Sequence, residues 1–174
     1  MTLDGVSDHT VGVPDAEVHQ HYTDLLNNSG TILYGRITYQ LMEDFWPTLV
    51  KNPGDNKAYN DFALSIDKIE KVLFSGTVKT VSWKNSRLAN GSLEDEVAAL
   101  RKTSTKDILI GSKSLIIESL KLKLVDEFQL CVHPVVAGKG TKLFEKIEGR
   151  MDFQLLRTKT FTSSGVVLHT YQPK

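Results

Sequence analysis

Two segments of this 174-residue chain place a glycine and small polar side chains directly after an apolar run that predicts a strand. In the first, residues 33–38, Gly35 is followed by Arg36 and Thr38 at the predicted start of a helix. The N–H groups and partial positive charge of a helix N-terminus attract anions, and glycine lets a phosphate approach the backbone. Because the Arg36 guanidinium adds a planar set of donors, the segment predicts a phosphate site.

The second segment, residues 110–115, repeats the order of an apolar strand, a glycine, small polar residues and a helix. Each segment alone is also compatible with an ordinary turn that caps a helix. Two anion sites on one sheet, however, fit a ligand that carries two separated phosphate groups, and NADPH is such a ligand. The pair of segments therefore indicates NADPH as the candidate cofactor.

Histidines and paired acids offer weaker candidates for chemistry. His19 and His21 are two residues apart, which on a helix directs them to different faces, so they make a poor pair of metal ligands. His133 lies in an apolar run and is interpreted as a core or interface residue. Asp126 and Glu127 would point to opposite faces of a strand, so at most one of them reaches a given pocket. No metal site is predicted.

The composition excludes several classes of protein. Lys plus Arg is 21 and Asp plus Glu is 21, so the formal net charge of zero argues against binding to nucleic acid or to an anionic membrane. No apolar run approaches the roughly 20 residues of a membrane helix. The first ten residues lack the features of a secretory signal, and Cys131 has no cysteine partner within the chain. We expect one cytoplasmic domain over residues 1–174.

Helical and apolar spacing predicts an alternation of helices and strands that would position these segments. A late hairpin follows strands that are joined through helices, which predicts an α/β fold with a mixed, mostly parallel sheet flanked by helices and a C-terminal antiparallel hairpin. The predicted elements are a helix from Asp15, a strand at 31–34, a helix at 38–45 that ends before Pro47, a loop at 51–56, a short helix at 59–64, a strand at 72–74, a helix opened by a Ser92–Asp95 capping box, a strand at 107–110, a helix at 114–120, a strand at 127–136, and strands at 153–161 and 166–171 around a turn at 163–165.

Six ordered motifs, spread over nearly the whole chain, resemble one known family. They are Leu-Asp-Gly at 3–5, Gly-Arg-Ile-Thr at 35–38, Val-Leu-Phe-Ser at 72–75, Gly-Ser with a following leucine at 111–115, Leu-Val-Asp-Glu at 124–127, and Pro-Val-Val-Ala-Gly-Lys-Gly at 134–140 with Leu-Phe at 143–144. In this order they resemble the dihydrofolate reductase-like family, in the branch of the riboflavin-biosynthesis reductase C-terminal domain found in bacterial deaminase-reductase proteins. The resemblance implies a three-layer dihydrofolate reductase-like fold.

The resemblance also implies roles for individual residues in binding NADP. Arg36 and Ser75 would hold the 2′-phosphate and ribose, and Thr38 would lie on the pyrophosphate side, next to Gly35. The pyrophosphate would be cradled by the second segment, with Leu115 packed nearby; this segment comprises Gly111, Ser112, Lys113 and Ser114.

Two further residues are implied on the side of the substrate. Asp4 would lie near the nicotinamide and could orient the substrate or relay a proton, and Met42 would line the substrate cavity. The implied reaction is hydride transfer from NADPH to a C=N or C=O bond of a small heterocyclic (pterin- or pyrimidine-like) or carbonyl substrate. A homodimer through the late strands is also implied.

Several departures from the family pattern qualify this reading. Only residues 1–2 precede Leu-Asp-Gly, where the family has a complete strand, and we expect that the first strand is truncated. Ile110 replaces a substrate-contacting glutamate, which argues against a phosphoribosylamino-pyrimidine substrate. The buried first-helix carboxylate of dihydrofolate reductases falls near residues 17–19, where the acids are also compatible with caps or surface charges. Ser112 replaces a second glycine and is tolerable if its φ is negative. A non-catalytic nucleotide-binding or structural homodimer with the same fold is the alternative function.

Overall fold

The computed structural model describes residues 1–12 and 14–174 and has the predicted α/β architecture. Its contacts divide the chain into two compact units, His19–Ile116 and Met1–Val18 with Ile117–Lys174. The first unit contains a parallel sheet and the second an antiparallel sheet. In chain order the elements are α1 (Ala16–Asn28), β1 (Ser29–Gly35), α2 (Arg36–Lys51), α3 (Lys57–Lys68), β2 (Glu70–Phe74), β3 (Ser86–Leu88), α4 (Leu93–Thr103), β4 (Asp107–Ile110), α5 (Lys113–Lys121), β5 (Phe128–Val132), β6 (Phe153–Phe161) and β7 (Val166–Pro173).

The parallel sheet has the strand order β3-β2-β1-β4. β1 pairs with β2 through Leu33 opposite Val72, and with β4 through Leu33 opposite Ile110. Leu33 and Val72 are fully buried, so the apolar runs that predict strands form the centre of this unit. The three-residue β3 was not predicted from the sequence, because it is short and carries no apolar alternation.

Side-chain caps fix the starts of three helices. Asp15 Oδ1 accepts a hydrogen bond from the Val18 amide at 2.8 Å, and Ser92 forms the predicted capping box with Asp95. Asn56 caps α3 by accepting from the amides of Ala58 and Tyr59. These contacts are local in sequence, which is why the helix starts at Asp15 and Ser92 were predictable.

The prediction that the second helix ends before Pro47 is wrong. α2 continues through Pro47 to Lys51, and the Asn52 amide donates to the Thr48 carbonyl at 2.9 Å just beyond its end. Proline removes one backbone hydrogen bond, but tertiary packing compensates for this loss. The Trp46 ring lies 4.5 Å from the ring of Phe62 on α3, centroid to centroid, so the second half of α2 is held by a neighbouring helix.

The antiparallel sheet has the strand order β5-β7-β6, and its β6–β7 hairpin agrees with the prediction. Gly165 has a φ of 69° and donates to the Phe161 carbonyl at 2.9 Å, as the tight turn requires. β5 ends at Val132, four residues earlier than predicted, since the following segment contains Pro134. Just after β5, His133 forms an isolated parallel bridge with Thr2.

No helix in residues 1–12 and 14–174 is both long enough and apolar enough to cross a bilayer.

A buried lysine closes the end of α3. Lys71 on β2 is fully buried, and its ammonium donates to the backbone carbonyls of Ile66 and Ile69 at 2.8 Å and of Asp67 at 3.1 Å. The same Nζ lies 4.5 Å from the centre of the Trp83 ring. Burial lowers the pKa of Lys71 to about 8. Lys71 therefore satisfies carbonyls that the helix end would otherwise leave without donors.

We expect Lys71→Met to destabilise the protein by about 2–4 kcal/mol, because the buried carbonyls of Ile66 and Ile69 lose a donor. Lys68→Met, an exposed substitution in the last turn of the same helix, should change the free energy of unfolding by less than about 0.5 kcal/mol. Denaturant unfolding of both variants measures the difference. Equal stability of the two variants would contradict the capping role.

The pH dependence gives a second measurement of the same contact. Since the pKa of Lys71 lies below its ordinary value of 10.5, the folded chain binds fewer protons than the unfolded chain between about pH 8 and that value. The contribution of Lys71 to the free energy of unfolding therefore rises with pH across this window. The difference in stability between wild type and Lys71→Met should change with pH only there.

Candidate functional site

The parallel register brings three predicted segments to one edge of the sheet. Gly35, the last residue of β1, is opposite Phe74, the last residue of β2, and the β1 residue Leu33 is opposite Ile110 at the end of β4. The carboxyl ends of parallel strands share an edge, which is where open α/β sheets bind ligands. The segments that begin at Gly35, Ser75 and Gly111 therefore leave the sheet side by side.

A hydrogen bond between a backbone amide and a side chain joins two of these segments. The Gly35 amide donates to Ser112 Oγ at 2.8 Å, and Ser112 is only 2% exposed. The amide of Gly111, the residue before Ser112, donates to the Leu33 carbonyl at 2.9 Å. Ser112 Oγ thus extends the β1–β4 hydrogen bonding beyond the end of β4. This bond fixes the start of α2 beside the start of α5.

The backbone conformation of Ser112 tolerates a serine where the family pattern has a second glycine. Ser112 is not among the residues with positive φ, so the replacement of a second glycine at this position does not strain the backbone. The contribution of its side chain was not predicted. Nothing local in the sequence signals that a hydroxyl at position 112 accepts from an amide 77 residues earlier.

Gly35 is the N-cap of α2, with φ of −82° and ψ of 160°, and it provides no side-chain cap. A Cβ atom at this position would lie 3.2 Å from Ser114 Oγ and 3.7 Å from Ser112 Cβ. The absent side chain therefore lets the two segments approach each other. It also leaves the first amides of α2 without a side-chain acceptor from the N-cap residue.

Gly111 is required by packing. A Cβ atom at Gly111 would overlap Cε1 of Tyr34 and lie 3.1 Å from Tyr34 Cδ1 and 3.2 Å from Ile32 Cδ1. Tyr34 is buried, and burial raises the pKa of its phenol. Contact with the Tyr34 ring therefore explains why residue 111 is a glycine, and no ligand is needed to account for it. The motif alone does not reveal this contact between neighbouring strands.

Arg36 and Ser75 differ in how much hydrogen-bonding capacity they retain. Arg36 is exposed and donates through Nη1 to Gln40 Oε1 at 3.1 Å, one turn further along α2. Ser75 Oγ accepts from the amides of Thr77 at 3.2 Å and Val78 at 3.0 Å, which closes the turn after β2. Ser75 Oγ also lies 3.4 Å from Thr77 Oγ1, where either hydroxyl can donate, so a ligand oxygen would compete with Thr77 for the Ser75 proton.

The other predicted cofactor residues lie in the first turns of the two helices. Thr38 is half-buried in the first turn of α2, and Lys113 is the first residue of α5. Ser114 is exposed, whereas Leu115 is buried and anchors the first turn of α5 in the core. These four residues therefore share the sheet edge with Gly35 and Gly111.

Met42 lies one turn beyond Thr38 and belongs to an aromatic cluster. The Trp46 Nε1–H points at Met42 Sδ at 3.2 Å, and the Trp46 ring lies 6.1 Å from that of Tyr59. His19, from α1, packs its ring 4.4 Å from Tyr59 and is almost fully buried. The cluster holds Met42 in place, and His19 takes part in it through aromatic packing.

Asp4 belongs to the unit of the antiparallel sheet, whereas the other predicted site residues belong to the parallel-sheet unit. Its carboxylate accepts from Thr2 Oγ1 at 2.6 Å and from the amides of Ala137 at 3.1 Å and Gly138 at 2.8 Å. These hydrogen bonds, that from Thr2 first, lower the pKa of Asp4 to about 2. Asp4 thus anchors the 134–140 loop as a carboxylate that stays ionised at neutral pH.

We expect Ser112→Ala to cost about 1–3 kcal/mol, because the Gly35 amide loses its acceptor. The Gly35 amide should also exchange with solvent faster, which NMR-detected hydrogen exchange measures directly. Ser114→Ala is the matched control, since its side chain is exposed, and it should cost less than about 0.5 kcal/mol. Unchanged exchange at Gly35 in Ser112→Ala would disprove the coupling.

We expect Gly111→Ala to destabilise the protein by about 1–3 kcal/mol through overlap with the Tyr34 ring. Gly76→Ala is the control, because a Cβ atom at Gly76 meets nothing within 4 Å. A double-mutant cycle of Gly111→Ala with Tyr34→Leu measures the contact. Strictly additive effects in that cycle would show that the ring does not exclude the side chain.

The sequence matches the family model described as RibD C-terminal domain over residues 1–168. The uncharacterized protein YyaP of Bacillus subtilis (strain 168) is 35% identical over 175 residues, which cover 98% of this chain and 90% of that protein. The uncharacterized protein YwjB of the same organism is 25% identical over 156 residues, covering 89% and 80% respectively.

Solved structures share this fold at low sequence identity. RibD of Acinetobacter baumannii superimposes with a TM-score of 0.72 at 15% identity, over 99% of this chain and 56% of that one. Dihydrofolate reductase from Enterococcus faecalis, solved in complex with NADP(H), gives 0.63 at 11% identity, over 100% and 92%. These likenesses confirm the predicted dihydrofolate reductase-like fold. The family match over residues 1–168, with the 35% identity to YyaP, shows that the chain belongs to the RibD C-terminal domain family.

Proposed function

We propose that this protein is an NADPH-dependent reductase that transfers a hydride to a C=N or C=O bond of a small heterocyclic or carbonyl substrate. The observation that carries the proposal is the Gly35–Ser112 hydrogen bond, which holds the starts of α2 and α5 together at the carboxyl edge of a parallel sheet. Two adjacent helix N-termini provide amides and partial positive charge for a pyrophosphate. Membership of a family that includes reductase domains supports the same reading.

The residues present fit the groups of NADPH. Gly35 has no Cβ atom and would let the pyrophosphate approach the amides of α2, with Thr38 and Ser114 supplying hydroxyls. Arg36 is exposed and uses one of its nitrogens on a neutral glutamine, so the rest of its guanidinium would take the 2′-phosphate. Ser75 would donate its proton to the ribose side. The anion is thus met by one guanidinium and by dipoles at the helix starts.

NADPH, when bound, supplies the hydride; the protein orients the reactants and excludes water. Met42, held by Trp46, would form an apolar wall for the substrate. Of the two roles implied for Asp4, orientation suits its environment better than proton relay, because its low pKa keeps it ionised. We propose that it acts by fixing the 134–140 loop through Ala137 and Gly138.

The substrate side favours an apolar or heteroaromatic compound. Ile110 is half-buried at the end of β4 and offers no hydrogen bond. Met42 and the aromatic rings behind it add polarisable surface, which suits a flat heterocycle. A pterin- or pyrimidine-like compound without a phosphoribosyl group therefore fits this side better than a sugar phosphate.

Self-association and location complete the proposal. Leu155 and Leu156, on the edge strand β6, are 52% and 44% exposed, and large apolar side chains at this level favour a protein contact. We propose a homodimer through the late strands. A cytoplasmic location agrees with a chain whose single cysteine has no partner for an internal disulfide.

The decisive experiment is a titration with NADPH and, separately, with NADH. We expect Arg36→Ala to weaken NADPH binding by about tenfold or more, since charge-assisted hydrogen bonds to the 2′-phosphate are lost. NADH lacks that phosphate, so its affinity should change by less than about twofold. Arg101→Ala removes an exposed arginine near the end of α4 and should leave both affinities unchanged. Equal losses for the two cofactors would refute the assignment of Arg36.

The emission of the two tryptophans can show where in the protein the cofactor binds. Trp46 lies beside Met42, whereas Trp83 is buried and donates to Asp67 at 2.9 Å. Cofactor binding should therefore quench the emission of Trp83→Phe, which retains Trp46, more than that of Trp46→Phe. A screen of pterins, pyrimidines, quinones and aldehydes for NADPH oxidation follows. Tight NADPH binding without turnover of any of them would favour the non-catalytic nucleotide-binding alternative.

A further inference from the structure

A concave region lies in the antiparallel-sheet unit. It has a volume of about 680 Å³ and is bounded by the end of α5, the segment 150–153 and the end of β7. None of the candidate cofactor or substrate residues lines it. Its volume is within the range of roughly 300–1,000 Å³ that is usual for small-molecule sites.

The rim of this cleft is strongly cationic. The one acidic side chain in its lining is Asp152, and the four basic residues that line it are Lys121, Lys123, Arg150 and Lys174. Asp152 Oδ1 accepts from Arg150 Nε at 2.8 Å, so its charge is matched by one of the four. Because acidic and basic residues balance over the whole chain, the excess positive charge at this rim is local.

Ordinary helix electrostatics explain only part of the rim. A lysine in the last turn of α5, such as Lys121, interacts favourably with the helix dipole. Lys123 has a φ of 56°, the left-handed conformation that favours glycine, so the turn itself does not require a lysine. Arg150 and Lys174 come from other parts of the chain. Three separate segments thus direct cations to one cleft.

The cleft also has an apolar floor. Phe153 is held between neighbouring rings, 5.7 Å from Phe128 and 6.1 Å from Tyr171, centroid to centroid. A fixed aromatic ring beside aliphatic groups can take the flat part of a ligand. The apolar side chains that line the cleft are Leu120, Met151, Phe153 and Pro173.

We propose that this cleft binds a phosphorylated organic molecule of about mononucleotide size, with its phosphate at the cationic rim and its apolar body on the Phe153 floor. Inorganic phosphate would use the rim alone, and a neutral nucleoside would use the floor alone. Only a ligand that carries both groups uses both surfaces. The inference is independent of the reductase proposal, because the two sets of residues do not overlap.

Calorimetric titration of the full chain with AMP, adenosine and inorganic phosphate tests the proposal. AMP that bound at the candidate cofactor site instead would be recognised, because the substitutions below would not weaken it and it would protect amides near residues 35–38 and 111–115; that outcome would overturn the proposal. We expect saturable binding of AMP, with adenosine and phosphate at least about tenfold weaker. Adding Lys123→Gln and Arg150→Gln should weaken AMP binding by about tenfold or more. The matched control adds Arg101→Gln and Lys102→Gln, which remove the same charge from the end of α4, and should bind AMP normally.

Hydrogen exchange locates the ligand without relying on the variants. AMP should protect amides in residues 117–124 and 150–153, and unfolding transitions check that each variant is folded. The absence of saturable AMP binding, or its persistence in the Lys123→Gln, Arg150→Gln chain, would overturn the proposal. Phosphate that binds as tightly as AMP would also overturn it, because the floor would then contribute nothing.

Discussion

The hydrogen bond from the Gly35 amide to Ser112 Oγ is the contact on which the candidate site depends. Parallel pairing sets the strands side by side, but it does not determine how the chain leaves their carboxyl ends. The Ser112 hydroxyl sets this direction by accepting a hydrogen bond from the Gly35 amide, which has no β4 partner beyond the end of that strand. Because Ser112 is buried, loss of the bond would leave an unsatisfied polar group, and the starts of α2 and α5 are therefore coupled.

Different contacts explain why residues 35 and 111 of the site are glycines. Gly35 keeps space beside Ser114 at the site, whereas Gly111 accommodates the ring of Tyr34 in the core. A glycine in a phosphate-binding pattern is therefore not by itself evidence of a ligand. The exposed guanidinium of Arg36 is better evidence, because an exposed arginine bonded to a neutral glutamine has no structural need of its charge.

Local signals made much of the fold predictable. Asp15 and Ser92 cap their helices through amides three residues away, and apolar runs mark the buried strands. The predictions from sequence fail where residues distant along the chain determine the local structure. α2 passes through Pro47 because a neighbouring helix holds it. The segments that begin at Gly35 and Gly111 lie at one sheet edge, but the side-chain role of Ser112 depends on a partner 77 residues away.

The distribution of charge explains why a neutral chain can hold anion sites. Several of its carboxylates are engaged within the fold: Glu96 is buried and accepts from both terminal nitrogens of Arg87, which lowers its pKa, and Asp4 accepts from two backbone amides. Cations such as Arg36 and Lys123 instead lie at the surface. These two carboxylates are thus satisfied within the fold, while Arg36 and Lys123 face the solvent. A formal charge of zero therefore excludes a uniform field over the protein but leaves room for local positive potential at a sheet edge or a cleft.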